Sequence, residues 1–379
     1  MLSCPVLIER IRLRDYRNLA KVDITPAKGV NLVFGANAQG KTNFLDALHL
    51  ATYLKSARAA REREVVREGA EIARCEVHLT RADGGLHRLV VAVSRGKKFV
   101  KLDGNPVTRF EDAIGILSAH FFFPGDLSLV KGDPALRRET LDLEVLKAVP
   151  SSVRIYSDYR RALLHRNALL RRIQSGDAKA SAELAPWNER LIASGVEIVR
   201  MRRNLLARIV PHFLDHYSKI SDNPEPVGLH YIATISDGKS DARDRLRKDF
   251  AEKLADGRAK ETELGYTVAG PHRDELLFSL GRHTLRQFGS QGQQRSAVLA
   301  LKIALCDVAR ELSGEDPVLC LDDALSELDD ARKAHLLAAL KHRTQAFITL
   351  ASEKELGLVR GMAAAVWTVK NGNFDGGGK

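Results

Sequence analysis

The sequence predicts an α/β fold: a mixed central sheet built around a phosphate-binding loop, an antiparallel β subdomain, and an inserted helical lobe. Three observations carry that expectation. The stretch "GANAQGKTN" at Gly35–Asn43 stands between an apolar run, "VNLVF", and a segment with helical apolar spacing. Residues 73–107 alternate apolar and polar side chains and are broken at Asp83-Gly84-Gly85, Arg95-Gly96 and Asp103-Gly104, the pattern of antiparallel hairpins. From about Ala135 to Glu263 the chain changes to long charged stretches with helical apolar spacing, as in Leu163, Leu164, Leu169 and Leu170.

The first of these carries chemistry. It reads G-x-x-x-x-G-K-T, with Gly35, Gly40, Lys41 and Thr42 at the fixed positions and Ala36, Asn37, Ala38 and Gln39 between them. Backbone amides of such a loop turn toward one point and form a nest for phosphate oxygens. The following helix adds its N-terminal partial positive charge. Lys41 is expected to reach the outer phosphates and the Thr42 hydroxyl to ligate Mg²⁺. The strand before the loop and the helix after it (Phe44, Leu45, Leu48, Leu50) supply the context that an ordinary glycine-rich turn would lack.

Two later motifs narrow the class. In "VLCLDDALSELDD" at Val318–Asp330, four mostly apolar residues precede Asp322 and Asp323, so both carboxylates emerge at the carboxyl end of a buried strand, where ligands collect in open α/β sheets. Asp322 suits a grip on Mg²⁺, and Asp323 suits positioning or deprotonating an attacking water. In "FGSQGQQRS" at Phe288–Ser296, Ser290 and Gly292 open a helix and form a second candidate anion nest; a serine-capped helix with no ligand would look the same. Two phosphate-cradling helix starts in one chain serve one triphosphate economically if two chains meet head to tail.

The balance of charge points to a further partner. Fifty-nine Lys and Arg against forty-eight Asp and Glu leave +11, more than a nucleotide site needs and consistent with a larger polyanion, although solubility charge gives the same total. Arginines cluster in three places: Arg58, Arg61, Arg63 and Arg67; Arg160, Arg161, Arg166, Arg171 and Arg172; and Arg200, Arg202, Arg203 and Arg208. The first three residues, Arg58, Arg61 and Arg63, are the candidate DNA contacts. Without aromatic stacking residues beside them, backbone contact is expected over base reading. Cys4, Cys75, Cys306 and Cys320 form no C-x-x-C pair and read as reduced packing residues. The N-terminus is charged within ten residues and no apolar run reaches membrane-spanning length, so a cytoplasmic protein without a membrane partner is expected.

Together these motifs resemble the ABC ATPase superfamily. "SQGQQR" is similar to its signature motif, and "LDDALSELDD" to its acidic strand and D-loop (Ser326, Glu327, Leu328, Asp329). With "DYRNL" at Asp15–Leu19 and "AGPHRDEL" at Ala269–Leu276, in order and over essentially the whole length, the chain resembles the RecF family of bacterial repair and replication ATPases. The short insertion agrees; SMC proteins carry a long coiled coil there.

The resemblance implies an ABC-type head at 1–124 and 264–379 and a helical lobe with a short arm at 125–263. It also implies an ATP-dependent homodimer with Ser290, Gly292 and Gln293 on the nucleotide, and weak, DNA-stimulated hydrolysis serving mainly as a switch. Further implications are binding at DNA gaps or junctions, recombinase loading, and work with RecR and RecO.

Two departures stand out. Phe123 replaces a serine usual before Pro124, and "AFITLASEKEL" has no switch histidine, only Thr349 with Ser352 nearby, which leaves the γ-phosphate sensor unassigned. Against other classes, there is no N-K-x-D guanine motif, and a P-loop kinase needs neither the Ser290 motif nor Asp323. A transporter subunit would usually carry the histidine and has no obvious need of the basic insertion. A DNA clamp that uses ATP as a latch remains a competitor.

Overall fold

The computed structural model describes residues 6–221, 225–236, 238, 240–326, 328–341 and 343–378. Cys4 and Glu327 of the D-loop stretch lie outside them. The chain opens with β1 (Leu7–Tyr16) and β2 (Leu19–Ile24), then β3 (Gly29–Phe34), the phosphate loop, and α1 (Lys41–Tyr53). Next come β4 (Ile72–Thr80), β5 (Leu86–Ser94), β6 (Lys97–Leu102), β7 (Asn105–Pro106) and β8 (Ala119–Phe122). The hairpin turns fall where Asp-Gly and Arg-Gly pairs stand; Arg95 and Asp103 adopt φ of 50° and 53°, each followed by a positive-φ glycine.

The helical stretch holds α2 (Ser128–Lys131), α3 (Pro134–Ala148), α4 (Ser152–Gln174) and α5 (Ala185–Ile220), then β9 (Val227–Ile232), α6 (Arg243–Asp256) and α7 (Arg258–Leu264). After it come β10 (Glu275–Leu280), β11 (His283–Thr284), α8 (Leu285–Phe288), α9 (Gln291–Ser313) and β12 (Val318–Asp322). The chain closes with α10 (Asp330–Lys341), β13 (Gln345–Leu350), α11 (Glu353–Val359), β14 (Ala363–Lys370) and β15 (Asn373–Gly378).

Two compact units result. The first takes residues 1–127, 212–223 and 291–379. It holds an antiparallel sheet in the order β2-β1-β4-β5-β6-β7 and a mixed sheet in the order β15-β14-β3-β13-β12-β8. Strands β8, β12, β13, β3 and β14 run parallel, and β15 is an antiparallel edge. The inner strands β12 and β13 are buried at every residue, as parallel strands covered on both faces should be. Helix α1 packs against strands of both sheets, and eleven of its thirteen residues are buried, which explains a helix apolar nearly all round.

The second unit takes residues 128–211 and 224–290. Its core gathers Tyr159, Leu191, Val196, Val199, Leu246 and Phe250 beside the small sheet β11-β10-β9. Residues 264–290 were expected to return to the head. Instead β10 pairs with β9 over six positions, Glu275↔Ile232 to Leu280↔Val227, so its backbone hydrogen bonds lie within the insertion's sheet. Local alternation in "DELLFSL" identified a strand; only the pairing partner decides which body owns it.

Candidate functional site

The site begins with three adjacent parallel strands that end together. In register, Phe34 of β3 lies beside Leu350 of β13, and Thr349 of β13 beside Asp322 of β12. Gly35, the Ser352 turn and Asp323 therefore leave the same edge of the sheet, the position where α/β sheets hold ligands.

The loop between β3 and α1 needs its glycines. A Cβ on Gly35 would lie 2.4 Å from the Val369 carbonyl, and Gly40 has φ of +116° with the Leu19 side chain 2.6 Å from where its Cβ would stand. Ala38, not glycine, also holds φ of 65°. The loop is braced from two sides. Asn371 N–H donates to Gln39 Oε1 (2.6 Å) and Gly372 N–H to Gln39 O (3.0 Å), while Asn43 Nδ2 donates to Asn18 Oδ1 (2.8 Å). Helix α1 begins at Lys41 with no side-chain cap and no acidic residue in its first turn, so no carboxylate competes for its amides. Lys41 Nζ folds back to donate to Gly35 O (2.6 Å) and Ala36 O (2.8 Å), a position from which it faces the loop's interior. Burial lowers its pKa, opposed by Asp323, Asp322 and Glu355.

Opposite the loop, Asp322 is held by Thr349 Oγ1 (2.7 Å) and Thr42 Oγ1 (3.1 Å), both donating to Oδ1. Burial raises its pKa, against the hydrogen bonds from Thr349 and Thr42 and the charges of Arg58 and Lys41. Asp323 differs. Its backbone N–H donates to Thr349 Oγ1 (2.9 Å), its φ is 49°, and its buried Oδ1 has no hydrogen-bond partner. Burial raises its pKa, as do the nearby carboxylates of Glu355 and Asp322, with Ser326 and Lys41 acting the other way. It borders an apolar recess formed by Phe122, Phe123, Leu127, Val298 and Leu299.

These residues surround a cleft of about 340 Å³, lined by Asn37, Ala38, Gly40, Lys41, Thr42 and Asn43 from the loop, with Arg58, Pro124, Asp322 and Asp323. The donor set suits a hard divalent cation: Thr42 Oγ1 and Asp322 Oδ1 are neutral and anionic oxygens 3.1 Å apart, the size of an inner coordination edge. No group of three or more His, Cys, Asp or Glu side chains could hold a metal among the described residues, so any ion here must take its other ligands from water or a bound phosphate.

The structure sorts the remaining expected residues. Arg58 lines the cleft and donates to Asn43 Oδ1 (3.3 Å), while Arg61 and Arg63 are exposed and line no part of it. Ser290 falls just before α9, and Gly292 and Gln293 lie in its first turn. Ser352 Oγ caps α11 by accepting from Glu355 N–H (3.2 Å), whereas Thr349 Oγ1 donates its proton to Asp322 (2.7 Å), so Thr349 is not free to donate to a γ-phosphate.

Arg166 and Arg202, counted among surface clusters by their spacing, are buried in ion pairs with Glu261 (2.6 Å) and Asp142 (2.7 Å). Helical charge spacing cannot separate an exposed arginine from one inside a network. Cys75, Cys306 and Cys320 are buried and unbridged, as expected.

Sequence reasoning missed Glu355, whose charge acts on both Lys41 and Asp323, and Arg332 of α10. Arg332 donates to Gly292 O (2.8 Å) and Ser296 Oγ (2.9 Å) and so braces the start of α9. It also missed why "DYRNL" matters: Tyr16 OH (2.8 Å), Arg17 Nε (3.1 Å) and Ser56 Oγ all donate to buried Asp46 of α1.

The family model for the RecF/RecN/SMC N-terminal domain matches residues 7–372. A DNA replication and repair protein RecF from Halalkalibacterium halodurans is 34% identical over 97% of this chain and 98% of its own length. Another from Microcystis aeruginosa is 33% identical over 97% of this chain and 99% of its own. The chain belongs to the RecF family. Among solved structures, the recombination mediator protein RecF with ATPrS, of the RecFOR pathway, superposes with a TM-score of 0.91 at 28% identity, covering 99% of both chains. RecF with ATP gives 0.91 at 27%, covering 99% of this chain and 98% of that one.

The Smc head domain of Pyrococcus furiosus, at 17% identity and a TM-score of 0.54 over 98% of this chain and 96% of that one, shares the fold alone. The fold is therefore the ABC-type ATPase head expected, with a RecF-type insertion, and a transporter subunit is not favoured. This is a RecF-family DNA replication and repair protein of an ATP-binding, ATP-hydrolysing class. No helix among the described residues is long and apolar enough to cross a membrane.

Proposed function

We propose that this RecF-family protein is a cytoplasmic, ATP-dependent DNA-binding protein, whose weak, DNA-stimulated hydrolysis resets a nucleotide-driven dimer at gaps or junctions in DNA. The observation that carries the reading is the cleft itself. A braced phosphate loop, Lys41, Thr42, Asp322 and an unsatisfied Asp323 converge on one space large enough for a triphosphate.

The loop amides from Gly35 to Thr42 and the N-terminus of α1 cradle the phosphates; Lys41 turns from the loop carbonyls to the outer ones, regaining a charged partner for a buried ammonium. Thr42 and Asp322 are the residues that would hold Mg²⁺, and the ion would supply positive charge beside the phosphates. Thr349 fixes Asp322 on one side and the Asp323 backbone on the other, so that the Asp323 carboxylate points its unpaired oxygen at a water and takes its proton. The raised pKa suits that task, because a base must be able to hold the proton it receives. Arg58, at the mouth of the cleft, adds positive charge where negative charge develops.

Ser290, Gly292 and Gln293 complete the site of a second copy, which makes ATP the latch between two chains. Family membership supports DNA as the partner, the RecFOR pathway supports RecR and RecO, and the shared ABC fold supports the dimer.

Subunit mixing tests this reading. Lys41→Met and Ser290→Arg each spoil both sites of their own homodimer. A mixed dimer carries both lesions at one site and none at the other. Nucleotide trapping should return on mixing two inactive proteins, toward one intact site per mixed dimer. If Ser290→Arg alone leaves ATP-dependent dimerisation intact, the shared site is wrong; if Lys41→Met binds and hydrolyses ATP normally, the cleft is not the nucleotide site.

A further inference from the structure

The antiparallel sheet of the first unit has two unlike faces. One is apolar and buried, with Leu13, Cys75, Val77, Val91, Val93 and Val100 at most 4% exposed. Because side chains alternate along a strand and directly paired residues share a face, the register fixes what stands on the other. Arg14 pairs with Lys21 on one side and Arg74 on the other; Arg12 with Asp23 and Glu76; Arg10 with His78, which pairs with Arg88. Lys101 lies opposite Val90, itself opposite Glu76, and Lys97 opposite Ser94. The face thus bears eight cations from five strands, against the carboxylates of Glu9, Asp23 and Glu76.

Two of the carboxylates, Asp23 and Glu76, already have cation partners. Asp23 accepts from Arg10 (2.7 Å) and lies 3.4 Å from Arg12. Glu76, nearly buried, takes Arg74 (2.6 Å), Arg88 (2.8 Å) and His78 (2.8 Å), with Arg12 at 3.7 Å. Burial works against its ionisation, yet hydrogen bonds from Arg88, His78 and Arg74 hold its carboxyl down to about 2. Glu76 is thus a fixed counter-charge that keeps several guanidinium groups side by side, with outer edges still open: Arg10, Arg12, Arg74 and Arg88 remain 41–46% exposed. Arg14, Lys21, Lys97 and Lys101 have no carboxylate partner among the described residues.

A surface that needed only solubility would balance its signs; this one carries eight cations against three carboxylates, an excess of one sign. The cations repeat at roughly 7 Å along β1 and about 4.8 Å from strand to strand, a lattice that also bears the exposed apolar side chains of Ile72, Leu86 and Phe99. Such a lattice matches a rod of dense, regular negative charge and reads no bases.

We infer that this sheet face is the surface on which the phosphate backbone of duplex DNA lies. The inference rests on the DNA-binding reading above and moves its centre. Arg61, Arg63, Arg166 and Arg202 are not among the residues of this face.

The test neutralises cations that Glu76 does not hold. Arg14→Gln, Lys21→Gln and Lys101→Gln are combined in the full-length chain, and binding of a fluorescent duplex is followed by anisotropy with ATP across a salt series. A matched control carries Arg160→Gln and Arg161→Gln on exposed positions of α4. The triple variant should lose at least tenfold in affinity at moderate salt, and its log–log salt slope should be shallower by about three. Its binding of a fluorescent ATP analogue and its circular dichroism should be unchanged.

Two results overturn the inference while leaving DNA binding itself intact: a triple variant that binds duplex with the wild-type slope, or a control that loses as much. Failure of the wild-type chain to bind duplex at low salt with ATP would overturn both the face and the reading beneath it.

Discussion

Each unit sets an aspartate at the end of a β-strand or beside one, Asp274 buried and Asp323 half-buried, and the two are treated in opposite ways. In the helical unit, Asp274 accepts at Oδ1 from Thr234 N–H (2.7 Å) and Thr234 Oγ1 (2.8 Å), and at Oδ2 from the Tyr231 hydroxyl. Arg202 stands 3.8 Å away and donates in turn to Asp142 (2.7 and 2.9 Å) and the Pro271 carbonyl (2.8 Å). Every charge in that network has a fixed partner. In the head, Asp323 keeps a buried oxygen with none, on a left-handed backbone, beside two further carboxylates. A closed network specifies packing; an open one stores a demand for a ligand. Both sites were assigned by the same residue type, so the difference is in satisfaction of partners and not in composition.

The largest expected effect comes at the open site. Asp323→Asn removes the proton acceptor but not the nucleotide grip, so ATP binding should persist while hydrolysis falls roughly 10²–10⁴-fold in single-turnover assays. The same change should leave the protein no less stable in urea unfolding. Because burial and neighbouring carboxylates raise the Asp323 pKa, the folded state holds the proton to higher pH than the unfolded chain does. Its contribution to stability therefore declines as pH rises through that window, and at neutral pH the charged form is a cost that asparagine removes. Wild-type hydrolysis should fall on the acid side at a pH above that of an ordinary aspartate, and the residual activity of Asp323→Asn should lose that limb. Normal turnover by this variant would end the contrast between the two sites.

The closed site should answer in stability and not in chemistry. Arg202→Met strands Asp142 and Asp274 without their shared cation, and breaking a buried pair typically costs about 3–5 kcal/mol. Chemical unfolding should register that loss. ATP binding under strongly native conditions should change little, since Lys41, Thr42 and Asp322 lie in the other unit. If Arg202→Met unfolds like wild type, the network is not a structural one.

What the sequence disclosed follows the same division. That Gly40, Lys41, Thr42, Asp322 and Asp323 would meet was legible because a phosphate-loop motif and an acidic strand end fix residue types at short spacing, and local elements bring them to one cleft. Arg166 and Arg202 were misjudged because their partners lie 95 and 60 residues away, at Glu261 and Asp142, and helical spacing is blind to them. The ownership of β10 was hidden for the same reason: pairing with β9 is a long-range choice. Glu355 and Arg332 carry no motif of their own; only folding brings the one to Asp323 and the other to Gly292. The basic sheet face was invisible as a run because alternation spreads it over five strands, one residue in two.

A smaller effect tests how the open site is held open. Thr349 Oγ1 donates to Asp322 and accepts from the Asp323 amide, so one hydroxyl holds the Asp322 carboxylate and the Asp323 backbone. Thr349→Val keeps the shape and removes both bonds. Groups that orient a metal ligand typically cost 10–100-fold in metal affinity or activity when lost, so Mg²⁺-dependence of ATP hydrolysis should shift to higher Mg²⁺ by roughly that factor. An unchanged Mg²⁺ titration would mean that Thr42 and the strand end suffice to place Asp322.

The smallest expected effect concerns backbone strain, and here the two units should differ in sign. Ala38 sits in the phosphate loop at φ of 65°, where an L-residue with a Cβ pays about 1–2 kcal/mol. Ala38→Gly relieves that strain but gives the unfolded chain more freedom, worth about 0.5–1 kcal/mol. The difference leaves a net gain between about zero and 1.5 kcal/mol, visible as a small rise in unfolding midpoint. The same substitution at Ala162, fully buried within α4 of the closed unit, has no strain to relieve. It loses helix propensity and packing together, so Ala162→Gly should destabilise by about 1 kcal/mol or more. In the loop, added freedom should also weaken ATP binding a few-fold, because amides no longer fixed toward the phosphates must be ordered on binding. If Ala38→Gly lowers stability as Ala162→Gly does, the loop stores no strain at that residue, and the openness of the cleft must be attributed to Asp323 alone.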